Sequence, residues 1–183
     1  MLVSAGNPDI RQAVKEDSGT LKKLQLLVPG LRGYRRSEDI RIADELLRNQ
    51  VADKLDLARS NLDSLRKQMV NNNDFTNLTA LGGVMSQIQQ LAGEVRHSQQ
   101  GYSGLAASIS ITQEVLNRLY EYDYAFVDSA VQLLNSTMPS SFVYDPNAPN
   151  NVQNLITRLQ SAVSDIKQKW SVRLENVEQI LQK

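Results

Sequence analysis

Between Ser37 and Asn71 the apolar residues Ile40, Ala43, Leu47, Val51, Leu55, Ala58, Leu62, Leu65 and Met69 step by three or four without a break. That spacing follows one face of an α-helix. Residues 37–70 would span about 51 Å as a helix, at 1.5 Å per residue. A helix of that length cannot bury its own stripe. It needs neighbours that are nearly as long and striped in the same way, and this requirement shapes the reading of the rest of the chain.

The neighbours are present. Residues 75–100 carry Leu78, Leu81, Val84, Ile88, Leu91 and Val95. Residues 104–137 carry Leu105, Ile109, Thr112, Leu116, Leu119, Asp123, Phe126, Ala130 and Leu133. Residues 151–182 carry Val152, Leu155, Leu159, Ala162, Ile166, Trp170, Val177 and Leu181. A shorter stripe, Ile10, Val14, Leu21, Leu24 and Val28, predicts a helix over about 8–28, opened by Asn7-Pro8-Asp9 and stopped by Pro29-Gly30. Ser37 is placed to cap the second helix, and Asn71-Asn72-Asn73 to end it. The one long loop is 139–150, whose Phe142-Val143-Tyr144 is expected to plug the end of a bundle. The fold predicted for residues 1–183 is all-α: one domain, an antiparallel four-helix bundle with an additional N-terminal helix.

Composition narrows the chemistry. The chain has no cysteine, which removes disulfides, thiolate metal sites and a cysteine nucleophile. Its single histidine, His97, leaves no multi-histidine metal site within one chain. Twenty basic and twenty acidic residues cancel, so nucleic acid is not an expected partner. The longest apolar runs are far short of the roughly 20 residues that cross a bilayer. No signal-like segment opens the chain, and a cytoplasmic location is expected.

Four features invite a functional reading. Glu94-Val95-Arg96-His97 has the Glu-x-x-His spacing of di-metal bundles, but no second such motif exists. Moreover Leu91 and Val95 set the core face almost opposite His97, so a solvated face is expected there. Arg32-Gly33-Tyr34-Arg35-Arg36 gathers cations before the second helix, where the helix dipole is also positive. Such a cluster wants an anion or the acids of its own fold. Alternating helices would bring Arg32, Tyr34, Arg35 and Arg36 to the same end as Arg96, His97, Tyr102 and Lys183. Tyr120, Tyr122 and Tyr124 are expected to pack against the first helix or a second subunit. Asp123 stands inside an apolar stripe, and a carboxylate there needs a cation. Matching heights on parallel second and fourth helices selects Lys54 first and Arg11 second as its partner.

The functional expectation is a non-enzymatic helical scaffold or adaptor working through protein–protein contacts and self-association, with no cofactor or metal. Stripes on every helix, with Leu46, Leu57, Tyr120, Tyr124 and Val131 at their sides, motivate the homo-oligomer. The alternative is an anion-binding module at the Arg32–Arg36 end, for a phosphorylated ligand, a lipid head group or a nucleic-acid backbone. A third reading is a metal- or acid-based bundle enzyme.

Overall fold

A computed structural model describes the backbone of residues 10–33, 37–98 and 112–181, and the side chains of 19–33, 40–98, 112, 114–148 and 150–176. Five helices follow in order: α1 (Ile10–Leu27), α2 (Ser37–Asn71), α3 (Leu78–His97), α4 (Gln113–Thr137) and α5 (Pro149–Leu181). Among the described residues there is no strand. α2 packs against α3 and α4, and α5 packs against α3 and α4, so four helices enclose one core. α1 lies outside that ring, on α4. Within α2–α5 successive helices alternate in direction, and cross-links fix their heights. Asn61 Nδ2 donates to Thr137 Oγ1 (3.2 Å), while Asp44 and Asp123 meet at one arginine, so α2 and α4 run parallel.

The expected stripes are the core. Leu47, Val51, Leu55, Leu62 and Met69 of α2 are fully or almost fully buried, as are Leu81, Val84, Ile88 and Leu91 of α3. Leu119, Phe126, Ala130 and Leu133 face them from α4, and Val152, Leu155, Leu159 and Ile166 from α5. α2 stops where Asn73 takes a left-handed conformation (φ 58°) and Asp74 N–H returns to Met69 O (2.9 Å). Of the expected plug Phe142-Val143-Tyr144, two residues cover that end and Val143 is exposed. Phe142 and Tyr144 pack on the core, and Tyr144 donates to Asp74 Oδ2 at 3.0 Å.

Two helices are shorter than their sequence pattern predicts. α3 begins at Leu78 rather than 75 and ends at His97 rather than 100, because Ser98 turns to extended backbone (φ −56°, ψ 131°). α4 begins at Gln113 rather than 104. Thr112 is extended, and its Oγ1 accepts the Val115 N–H at 3.3 Å, an N-cap that starts the helix there. Leu105 and Ile109 lie outside the described residues. This late start moves every level on α4, with a consequence for Asp123.

The side-facing apolar residues are mostly covered by the fold itself. Tyr120 is buried, and Leu46, Tyr124 and Val131 pack on the core; of the expected set only Leu57 is exposed. α1 and the segment after it supply part of the cover. A Cβ at Gly33 would meet Leu21 and the Tyr120 hydroxyl, so the chain passes close here.

Candidate functional site: a buried four-charge network

Asp123 is completely buried, and its partner is Arg173 of α5. Arg173 Nε donates to Asp123 Oδ1 at 2.5 Å, and Nη2 donates to Asp44 Oδ1 at 2.6 Å. The other oxygen of Asp44 accepts from Arg48 Nε at 2.8 Å, one helical turn along α2. Arg48 Nη1 then lies 3.2–3.4 Å from the carbonyl oxygens of Val95, Arg96 and Ser98. Those are the carbonyls a helix leaves unpaired at its C-terminus. One chain of charge-assisted bonds thus runs from α4 through α5 and α2 to the end of α3. Two acids and two guanidiniums cancel. Trp170 stacks on Phe126 (centroids 5.1 Å apart) and carries the Arg173 guanidinium 5.5 Å over its ring, which walls the network from below.

Of the two expected partners of Asp123, Lys54 requires correction. Lys54 is ten residues, or about 15 Å, further along α2 than Asp44, which shares Arg173 with Asp123. Counting α4 from 104 put Asp123 about 28 Å along its helix. Counting from Gln113, the first residue after the Thr112 cap, puts it ten residues, about 15 Å, along. Lys54 is half-buried instead, and desolvation holds its ammonium below the ordinary lysine value, with Asp53 opposing the shift. The side chain of Arg11 lies outside the described residues. The sequence did contain a signal for Arg173. The α5 stripe steps from Trp170 to Val177, and Arg173 fills the intervening position, a cation inside a stripe like the anion Asp123. Asp44 and Arg48 likewise flank stripe positions at i, i+4.

Of the expected basic-end cluster, Arg32, Arg96 and His97 fall among the described residues. Arg32 is exposed beside a small hollow lined by Gly30, Ile42, Ala43 and Leu46. Arg96 lies well up the side of α2, where it bridges Asp53 and Asp56, each at 2.9 Å. Bonding to Asp56 first, and then to Asp53, raises its affinity for the proton above the ordinary arginine value. Because α3 is short, its C-terminus stops beside the middle of α2 rather than at the bundle's end. His97 is exposed there, and Glu94, also exposed, accepts from Gln90 (2.8 Å), the solvated face expected for this motif. Tyr34, Arg35, Arg36, Tyr102 and Lys183 lie outside the described residues. Among the described residues no group of three or more histidine or acidic side chains is placed to hold a metal ion. Among the described residues no helix is long and apolar enough to cross a membrane. The chain matches no known protein family, no curated protein and no solved structure.

Among the described residues, the carboxylates and guanidiniums of the network pair with one another. Each carboxylate has at least one guanidinium, and each guanidinium at least one carboxylate. Such an arrangement holds helices at fixed heights.

Proposed function

We propose that this chain is a non-enzymatic helical scaffold or adaptor that acts through protein–protein contacts, associates with itself, and works in the cytoplasm without a cofactor. The observation that carries the reading is the four-charge network. Its charges, on α2, α4 and α5, neutralise one another, and Arg48 ties them to the C-terminal carbonyls of α3. Buried ion pairs add little net stability but can select one register over others. A protein that presents surfaces to partners benefits from helices locked in register; an acid–base catalyst needs a charge left available to substrate.

The anion-binding alternative is weaker. Of its described cations, Arg32 is exposed while Arg96 already serves Asp53 and Asp56. Cross-linking of the tagged full chain in its native cells, read by mass spectrometry, tests the scaffold reading. Stoichiometric cross-linked assemblies are expected. Recovery of the chain solely as an uncross-linked 20.5 kDa species would overturn it.

A further inference from the structure

The outer face of the α2–α3 hairpin has two properties that its own fold does not require. From Phe75 to Gly93 there is no charged residue, although α3 exposes Thr79, Ala80, Gly83, Ser86, Gln87, Gln89 and Gln90. Solvated helix faces ordinarily carry charges. Beside this face runs an open groove of about 480 Å³, lined by Val70 and Leu78 with Thr79, Gly82, Arg66 and Lys67. Val70 is 45% exposed in it. Gly82, Gly83 and Gly93 weaken α3 relative to alanine, yet a Cβ on any of them would meet nothing within 4 Å. Among the described residues no contact asks for a glycine there.

The charges on the α2 edge of the face are arranged in opposite surplus at its two ends. Near the groove, Arg66 and Lys67 share a single acid, Asp63, at 2.8 and 2.9 Å. At the other end, two acids, Asp53 and Asp56, form ion pairs with one cation, Arg96, while Lys54, half-buried, also feels Asp53. Arg59 stands between the ends, half-buried. The surplus cation and the surplus anion are separated by the fourteen residues from Asp53 to Lys67, about 21 Å along the helix.

We infer that this face docks a second copy of the same chain through a two-fold axis near Ser86 and Gln89, with the two α3 helices antiparallel. An antiparallel two-fold sets the basic end of one copy against the acidic end of the other, twice. The uncharged, small side chains between them let the helices approach closely. This inference rests on the scaffold reading and names its self-associating surface.

Sedimentation equilibrium of the full chain, from micromolar to millimolar, tests it. The expected result is a reversible dimer that weakens as salt is raised. Ser86→Arg, on an exposed position, puts two arginines at the axis and should weaken the dimer at least tenfold. Gly82→Ala with Gly93→Ala should also weaken it while raising the melting temperature of the dilute monomer. Lys67→Glu and Asp53→Lys should each weaken the dimer, and the two together in one chain should restore it. A monomer throughout the range, a dimer indifferent to Ser86→Arg, or no rescue by the double reversal would overturn the inference. A monomer that still cross-links to other proteins in cells would leave the scaffold reading standing, so the two failures are distinguishable.

Discussion

Around Asp123 the four helices of the bundle meet through two acids and two arginines; one bundle-half away, around Met69, Leu81 and Leu155, they meet through aliphatic side chains. The two halves belong to the same helices and are equally well buried. Their physics differs. Aliphatic contacts are non-directional and scale with buried area, at about 25 cal/mol per Å². They supply most of the stability but tolerate a helix sliding by a turn. The charged half gains little net energy, because desolvation offsets attraction, yet a slipped register would leave a bare charge in the core. One half therefore supplies free energy and the other supplies uniqueness.

The largest expected effect breaks the charged half on one side only. Asp123→Ala leaves Arg173 buried with Asp44 as its remaining acid, and should cost about 3–5 kcal/mol in urea unfolding. Replacing all four members together, with Asp44→Leu, Arg48→Met, Asp123→Leu and Arg173→Met, should be far milder, from neutral to stabilising by about 1–4 kcal/mol. If the division between the halves is right, that variant keeps its helix content but loses sharp, dispersed NMR side-chain signals. Retention of both would mean that register is set elsewhere.

The aliphatic half should respond in the opposite way. Leu155→Ala, at 1% exposure, removes apolar volume and leaves a cavity, at about 2–5 kcal/mol. The same unfolding measurement reads it, and NMR dispersion should survive. A smaller effect is expected at Asn61, whose amide donates to Thr137 at a partly buried cross-helix bond. Asn61→Ala should cost about 1 kcal/mol. A much larger loss would show that this half, too, depends on a polar anchor.

These two halves were unequally legible in the sequence. The stripes and the antiparallel arrangement follow from periodicity, because burial of an amphipathic face leaves few alternatives; of the expected plug Phe142-Val143-Tyr144, Val143 is exposed instead. That Asp123 is buried and paired followed as well. Its partner did not, because choosing one required an exact helix start. Thr112 falls on the expected stripe of α4 and reads as a core position. In the fold it is the cap, since a threonine hydroxyl can serve the free N–H groups of a first turn. Nine residues of misplaced helix shift every height by about 13 Å. Arg173 was visible all the same, as a cation in a stripe position. The short α3 was harder to foresee, because its end depends on Arg48, some fifty residues earlier, meeting the carbonyls of Val95, Arg96 and Ser98.

The smallest predicted effect lies between the halves, at Lys54. Its side chain is half-buried on the flank of α2, and desolvation lowers its proton affinity, with Asp53 acting against the shift. A lysine whose folded pKa is lowered destabilises the fold while protonated. That penalty is complete below the folded pKa and fades as pH rises toward the ordinary value of 10.5. Lys54→Met keeps the aliphatic stem against the core and removes the charge. It should stabilise by only a few tenths of a kcal/mol at neutral pH, because a half-exposed charge is largely screened by solvent. Chemical unfolding of both proteins at pH 7 and pH 10 measures this directly, and the gain should shrink at the higher pH. A loss of several kcal/mol on Lys54→Met would instead place Lys54 inside the charge network that sets register.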